Sequence, residues 1–304
     1  MHYIFFLAIF DFFTIKSMNQ SVKHHFLPIF YLKGFASENE KFKIFNVKTK
    51  KFKQKGKLFS PSSHFYILKD NTITTDFGED DFMEKLYEKI DNSFAKILYT
   101  INNNNYEHSF GVNEDDMPYI NNFVSQIYWR SPFNKNILQD YIKKYKLKQL
   151  GLKIVDEFGN HNEELSEKFK NEPEFYKAYK LYNSLLDSIR GFNCRTQYHI
   201  FARPKELPSI CSDFPIIFKK NNLIKVYEDD YIFPLSQNRI FVKRNLTQRF
   251  NHQLHYLIDL ISLKQSVNYA ATNDESYIDF LIKLDNENNC TLEEYKKNLF
   301  NELI

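Results

Sequence analysis

Apolar and charged positions alternate in the segment KFKIFNVKTKKFK, which spans residues 41–53. The apolar alternation pauses near Asn46 and then resumes. A period of two on both sides of a polar turn is typical of a β-hairpin. We therefore predict strands across residues 26–59, including the apolar run FLPIFYLKGF, with a hairpin region within residues 41–57.

Apolar residues recur at spacings of three and four from about residue 79 to residue 190, which indicates a central segment of amphipathic helices. One such stripe consists of Met83, Leu86, Ile90, Phe94 and Ile97. A second helix is expected to end near Arg130, because Ser131 precedes a proline and resists helical geometry. Pro173 marks the break before another predicted helix.

Short β-prone runs separated by prolines return between Gln197 and Val242, as in an antiparallel meander. The remaining chain has helical periodicity. Thr272 with Glu275, and Thr291 with Glu294, fit the capping box that begins a helix. Runs of strands followed by runs of helices predict an α+β fold rather than a βαβ repeat. We predict one α+β domain over residues 18–304.

Residues 3–15 are almost wholly apolar, but the run is too short to span a bilayer and lacks the basic segment of a signal peptide. Met18 begins a natural-looking start. We interpret residues 1–17 as an over-extended gene start or an apolar leader; the alternative is a segment that docks on a membrane or a partner. No stable membrane span is predicted.

Composition excludes several classes of enzyme. Only 7 of 304 residues are glycine, and none lies beyond Gly191, so the glycine-rich motifs of dinucleotide folds, P-loop enzymes and elbow-type serine hydrolases are absent. The net charge of +3 gives no global field toward nucleic acid, so such binding requires a local patch. Three cysteines without C-x-x-C spacing favour a reducing compartment, and we expect a cytoplasmic protein.

The densest polar feature is the sequence Lys23-His24-His25, directly before the apolar run. Adjacent side chains on a strand point to opposite faces, so at most one histidine faces a given site. That histidine is either a general base or metal ligand, or a structural residue bonded to backbone.

Asp213 and Arg130 are the next candidates. Asp213 precedes a Phe-Pro turn between two strands, where it is either an Asx-turn residue or a carboxylate presented at a strand end. Arg130 ends a helix beside the only tryptophan, where it either complements the helix dipole or clamps a phosphate. Asp213 with His24 or His25 is the simplest acid–base or metal constellation in the chain.

Eight lysines lie in residues 41–57. They form either the solvated face of a hairpin that protects an edge strand, or a ribbon that contacts phosphates. In the second interpretation Lys50, Lys51 and Lys53, together with Lys23, bind the substrate.

Two further clusters suggest metal binding only weakly. Glu84, Glu88 and Asp91 share one helical face, which can hold a divalent cation but is more typical of a solvated face. His252 and His255 lie three residues apart with Asp259 one turn on, which is not the zinc-binding spacing H-E-x-x-H. A divalent ion stays a candidate cofactor of unknown identity.

The segment KHHFLPIFYLKGF at residues 23–35 resembles the opening signature of an uncharacterised bacterial family, domain of unknown function 4238. Later landmarks are similar and occur in the same order: the acidic helix around Glu84 and Asp91, Arg130-Ser131-Pro132, Cys211-Ser212-Asp213-Phe214-Pro215, and Phe233-Pro234-Leu235-Ser236. Ser131 stands where the family has Thr, and Phe214 where it has Asn. The resemblance implies no settled activity, only that these polar residues belong to one recurrent set.

Two functions are open at this point. The first is an intracellular hydrolase that cleaves phosphodiesters of nucleic acid or a nucleotide, as a toxin-like or phage-defence effector. Here His24 or His25 is the base or a ligand, Asp213 orients it or binds a metal, and Arg130 stabilises phosphate charge. The second is a non-catalytic module that binds RNA, DNA or a protein through the lysine-rich hairpin.

Overall fold

A computed structural model describes residues 22–75, 78–103, 110–111, 115–155, 159–191, 198–220, 225–243 and 252–302. The predicted leader at residues 1–17 lies outside the described residues. The strands are β1 Lys23–His25, β2 Phe42–Asn46, β3 Lys51–Phe52, β4 Leu58–Phe59, β5 Tyr66–Leu68, β6 Ile73–Thr75, β7 Gly78–Asp80, β8 Phe110–Gly111, β9 Tyr198–Ala202, β10 Ile210–Ser212, β11 Ile217–Phe218, β12 Tyr231–Ser236, β13 Arg239–Lys243 and β14 Tyr269–Thr272. The helices are α1 Ile29–Lys33, α2 Phe82–Asn102, α3 Met117–Arg130, α4 Lys135–Lys144, α5 Glu163–Lys170, α6 Pro173–Gly191, α7 His252–Gln265, α8 Glu275–Asn288 and α9 Leu292–Glu302.

The strands form two larger antiparallel sheets and two small ones. The first sheet has the order β10-β14-β2-β3, with β4 also paired to β2. The second has the order β11-β12-β13-β9-β8. The predicted meander is present over β11, β12 and β13, whereas β10 pairs with β14 in the first sheet and β9 pairs with β13. β1 pairs with β5, and β6 with β7. Strands and helices are segregated along the chain, which confirms the predicted α+β class.

The predicted lysine hairpin is present. Phe45 pairs with Phe52 across β2 and β3. The side-chain Oδ1 of Asn46 accepts the backbone N–H groups of Lys48 and Thr49, both at 3.0 Å. An Asx turn of this kind replaces backbone hydrogen bonds at the point where the chain reverses. The Asx turn and the alternation of apolar and charged residues therefore both favour the hairpin.

The prediction of strand across residues 26–35 is wrong. Strand β1 ends at His25, before this segment, and helix α1 begins at Ile29. Pro28, with φ of −59°, precedes the helix and suits a helical entry. Tyr31 and Phe35 lie four residues apart and are both buried. This spacing is helical, and a five-residue helix offered too few periods for the pattern to be distinguished from an apolar strand.

Two helix boundaries that the sequence predicts are confirmed, and one differs. Helix α3 ends at Arg130. Thr291 and Glu294 form a reciprocal capping box, with the Thr291 backbone N–H donating to Glu294 Oε2 at 2.7 Å. The N-cap of α8 is Asp274 rather than Thr272, because its Oδ1 accepts from the backbone N–H of Tyr277.

The described core has two large parts. In the first part, rings of α1, α2, α3 and β12 stack, as with Phe94 and Phe123, whose centroids are 3.9 Å apart. In the second, α7, α8 and α9 pack on the sheets. Among the residues described, no helix is long and apolar enough to cross a membrane.

Candidate functional site

The two adjacent histidines of β1 point to opposite faces, as the strand geometry predicts. His24 is only 2% exposed, whereas His25 is half-buried. Strand β1 pairs with β5 so that His25 lies opposite Tyr66. Their environments differ accordingly, and they have different roles.

His24 belongs to a buried polar network that joins β1 to the loop after β5. Its Nδ1 accepts the backbone N–H of Asn71 at 2.8 Å, and Asn71 Nδ2 donates to Glu84 Oε2 at 2.7 Å. The Lys180 ammonium from α6 donates to Asn71 Oδ1 at 3.0 Å and to Asp70 Oδ2 at 2.8 Å. His24 therefore positions the strand and the loop and is not presented to solvent.

Arg130 is enclosed by protein at the end of α3. Its Nη1 lies 2.8 and 3.0 Å from the two Asp91 oxygens, its Nη2 donates to the His25 carbonyl, and its guanidinium lies 4.7 Å over the ring of Tyr87. Burial opposes its charge, but Asp91 leaves the pKa of Arg130 raised above its usual value. With 4% exposure, Arg130 holds β1 in place and does not reach a ligand.

The imidazole of His25 has a nitrogen without a hydrogen-bond partner. Nε2 is buried and has no partner among the described residues. The backbone of Ser62 raises the pKa of the ring. Burial, followed by the charges of Arg130 and Lys23, leaves the pKa of His25 below 6.5. The ring is therefore neutral at pH 7.

A second histidine, His64, lies two residues before Tyr66, the partner of His25, and is not among the sequence-predicted site residues. Its Nε2 is 3.0 Å from Lys53 Nζ, and its Nδ1 is 3.0 Å from Ser63 Oγ. Burial, with the charges of Lys53 and Lys23, lowers the pKa of His64 to about 4. The sequence SPSSHF has no periodicity or motif that marks this residue, so only tertiary contacts reveal it.

Two of the predicted lysines cover tyrosine rings next to the histidines. Lys23 Nζ lies 4.8 Å over Tyr66, whose ring is 5.4 Å from that of His25. In the same way, Lys53 Nζ lies 4.9 Å over Tyr269, whose ring is 6.1 Å from that of His64. The charge of Lys23 lowers the pKa of both histidines. We call this set the histidine–lysine patch: Lys23, His25, Lys53, His64, Tyr66 and Tyr269.

The neutral state of His64 makes stability depend on pH. The pKa of His64 falls from 6.5 to about 4 on folding. The contribution of His64 to the free energy of unfolding is therefore complete above pH 6.5 and is lost as the pH falls toward 4. We expect this contribution to be at most about 3 kcal/mol. Urea unfolding at pH 7 and pH 4.5 measures it. His64→Gln is expected to flatten the pH dependence and the exposed control His161→Gln to preserve it; identical profiles would contradict this assignment.

Asp213 is in a different environment from the histidines. Its carboxylate accepts the backbone N–H groups of Val267 and Asn268 at 2.8 Å and that of Tyr269 at 3.0 Å. The side chain is 1% exposed, and burial raises its pKa despite these bonds. Asp213 thus fastens the end of β10 to the start of β14. It adjoins the patch only through the backbone of Tyr269.

Two of the three carboxylates on the acidic face of α2 are bound to other side chains, and the third is exposed. Glu84 and Asp91 are bound to Asn71 and Arg130, while Glu88 is exposed. Within the described residues, no group of three or more His, Cys, Asp or Glu side chains is placed to hold a metal ion. Asp259, the third member of the other weak metal candidate, pairs instead with Arg203.

The remaining predicted lysines and a distant cleft complete the survey. Lys50 and Lys51 are exposed on the hairpin. A cleft of about 790 Å³ opens elsewhere, between α4 and the segment that precedes β12. Its walls include Tyr141, Tyr145 and Lys220 but none of the predicted site residues.

A family model described as "Protein of unknown function (DUF4238)" matches residues 23–272. The match begins at Lys23 and includes Arg130 and Asp213, so the resemblance read from the opening signature is confirmed. No curated protein and no solved structure matches the chain.

Proposed function

This chain belongs to the DUF4238 family, and because that description assigns no activity, we propose from its own residues that it hydrolyses phosphodiesters of nucleic acid or a nucleotide. The observation that carries the proposal is the imidazole of His25, whose buried Nε2 has no hydrogen-bond partner among the described residues. A buried polar atom without a partner costs about 1–3 kcal/mol, which is typically retained where it serves function. His25 is the general base.

The lysines of the patch supply the electrostatic part of the mechanism. Lys23 and Lys53 are held by cation–π contacts beside the two histidines, and both histidines are neutral at pH 7. Two ammonium groups against uncharged rings attract the negative charge that grows on a phosphodiester in its transition state. Lys50 and Lys51 extend the positive surface along the hairpin toward a longer ligand.

Other predicted site residues act through His25 in this proposal. Arg130 bonds to the His25 carbonyl, and His24 anchors the same strand to Asn71. They are positioning residues, because both side chains are buried. Asp213 connects two strands and has no chemical role here.

The test compares wild type with His25→Ala on labelled single-stranded RNA and DNA and on dinucleotides, with EDTA, Mg²⁺, Mn²⁺ or Zn²⁺. We expect wild type to cleave and His25→Ala to be slower by about 10²- to 10⁴-fold, the usual contribution of a general base. His161→Ala, an exposed histidine paired with Glu163, is the matched control and keeps full activity.

Thermal melting separates chemistry from folding. Equal melting temperatures of wild type and His25→Ala, with activity lost, support catalysis by His25. Absence of cleavage by wild type on every substrate contradicts the proposal. If cleavage occurs, growth arrest on expression of wild type but not of His25→Ala tests the toxin-like or phage-defence role that we propose for it.

The non-catalytic alternative rests on the exposure of Lys50 and Lys51 in the hairpin. A module of this kind binds RNA or DNA with an affinity that falls steeply with salt. Charge reversal at both lysines then removes binding, whereas His25→Ala leaves binding unchanged. Binding without any cleavage favours this alternative over the hydrolase.

A further inference from the structure

We propose that the cleft between α4 and the segment before β12 binds single-stranded nucleic acid, with a base stacked on Tyr141 and phosphates held by Lys144 and Lys220. The cleft has a volume of about 790 Å³, within the range of ligand-binding clefts. None of the described residues that line it belongs to the histidine–lysine patch. Binding at this cleft requires no cleavage by the chain and goes beyond the proposed hydrolase function.

Helix α4 and its C-terminal end bring two tyrosines to the cleft. Tyr141 and Tyr145 lie four residues apart, which is the spacing of one helical face. Their ring centroids are 4.9 Å apart, and the ring planes are inclined by 51°. Both residues are half-buried, so part of each ring stays accessible at the cleft. Every base has a π-face that stacks on such a ring, and in a single strand that face is free.

Positive charge lies beside the rings on both walls of the cleft. Lys144 Nζ lies 5.3 Å over the ring of Tyr145, which holds the ammonium next to the aromatic pair. Lys220 lines the other wall and is exposed. The sequence YIKKYKLK at residues 141–148 contains four lysines and no acidic residue. Aromatic rings beside ammonium groups match the base and the phosphate of a nucleotide unit.

Three acidic residues also line the cleft, and two of them are bound within its wall. Glu228 Oε1 lies 2.7 Å from Lys225 Nζ. Asp229 is 4% exposed, and its Oδ2 accepts the backbone N–H of Lys220 at 2.8 Å. Asp140 is exposed and repels a phosphate. Because these carboxylates balance the lysines of the cleft, stacking supplies much of the affinity and few phosphates are contacted.

Hydrogen bonds from other elements hold both walls in place. Lys243 Nζ, from β13, donates to the Asp229 carbonyl at 2.9 Å. On the opposite wall, Lys170 Nζ, from the end of α5, donates to the Tyr145 carbonyl at 3.3 Å. A site that is already formed loses less conformational entropy when a ligand binds. The rings and ammonium groups are therefore arranged before the strand arrives.

The first experiment measures the binding of fluorescent oligonucleotides of about ten nucleotides to the full chain in EDTA, by anisotropy. We expect single-stranded DNA and RNA both to bind. An abasic strand of the same length has the phosphates without the bases, and we expect it to bind at least about tenfold more weakly. Poly-glutamate, a polyanion without aromatic rings, is expected not to compete.

Variants of Tyr141 test the stacking. Tyr141→Leu keeps an apolar side chain on α4 but removes the ring, and we expect it to weaken binding by about fivefold to 50-fold. Tyr141→Phe keeps the ring and is expected to bind as the wild type does, which separates stacking from any loss of stability. Tyr99→Leu, at a 72% exposed position on α2 outside the cleft, is the matched control and leaves binding unchanged.

The salt dependence of binding tests the two lysines. Each phosphate contact of a single strand contributes about 0.7 to the slope of log affinity against log salt concentration. The double variant Lys144→Ala with Lys220→Ala is therefore expected to reduce that slope by about 1.4. Lys283→Ala removes an exposed lysine of α8 that pairs with Glu287 at 3.8 Å, and this control keeps the slope of the wild type.

Four results would overturn the proposal: no binding of any single strand, equal binding of the abasic and intact strands, equal binding by Tyr141→Phe and Tyr141→Leu, or competition by poly-glutamate, which favours an acidic protein partner. Loss of binding on charge reversal of Lys50 and Lys51, with no effect of the cleft variants, also overturns it and places the strand on the hairpin. All of these measurements record binding alone, so failure of the hydrolase proposal leaves them unaffected.

Discussion

Replacement of Arg130 by methionine is expected to lower the free energy of unfolding by about 3–5 kcal/mol. The substitution keeps an apolar stem of similar length but leaves Asp91 buried without its cation. It also removes the donor to the His25 carbonyl and the cation over Tyr87. Breaking a buried pair is costly because the remaining charge keeps its desolvation penalty and loses its compensation.

Urea unfolding measures this prediction, with two further variants as controls. The double variant Arg130→Met with Asp91→Leu removes both charges, and we expect it to recover much of the loss. Lys33→Met breaks an exposed pair with Glu40 and is expected to cost less than about 1 kcal/mol. Equal losses in the free energy of unfolding for Arg130→Met and Lys33→Met would show that the buried Arg130 pair stabilises the protein no more than an exposed pair does.

Replacement of Asp259 by alanine is expected to lower the free energy of unfolding by a similar amount, about 3–5 kcal/mol. Both side chains of the Arg203–Asp259 pair are almost fully buried, and Arg203 Nη1 donates to Asp259 Oδ1 at 3.0 Å. The Tyr277 hydroxyl donates to Asp259 Oδ2 at 2.6 Å, so the variant strands a second donor. The carboxylate that the sequence placed in a weak metal cluster joins α7 to α8.

The matched control for this variant is Asp285→Ala. Asp285 pairs with Lys264 at 2.7 Å, but both side chains are partly exposed, so we expect a loss below about 1 kcal/mol. We expect that Zn²⁺ does not bind near Asp259 and that its addition therefore does not raise the melting temperature of the wild type. A melting temperature that rises with Zn²⁺ in wild type but not in Asp259→Ala would instead support a metal site.

Long, regular patterns were the most predictable part of the fold. The helix that ends at Arg130 is determined by a proline two residues later, and the hairpin by alternation on both sides of an Asx turn. Such signals are local and repeat several times. The five-residue helix α1 was predicted wrongly as strand, because its two buried residues, Tyr31 and Leu32, are compatible with either period when the run is short.

The candidate site was predictable only in part. His25 and Arg130 are flagged by sequence, and the structure brings them together through one hydrogen bond. Asp213 is flagged equally well, yet its carboxylate is saturated by three backbone N–H groups. A sequence shows that a carboxylate is present but not how many donors converge on it.

The sequence by itself determined the family, the α+β class and the presence of a histidine pair with opposite orientations. Each depends on neighbours within a few positions or on a recurrent motif. Only the tertiary structure decided that His24 is enclosed in a hydrogen-bond network while His25 Nε2 has no partner among the described residues, and that Lys53 contacts His64. Burial and charge set the protonation of these rings, and both arise from residues distant in the chain, such as Asn71, Arg130 and Tyr269.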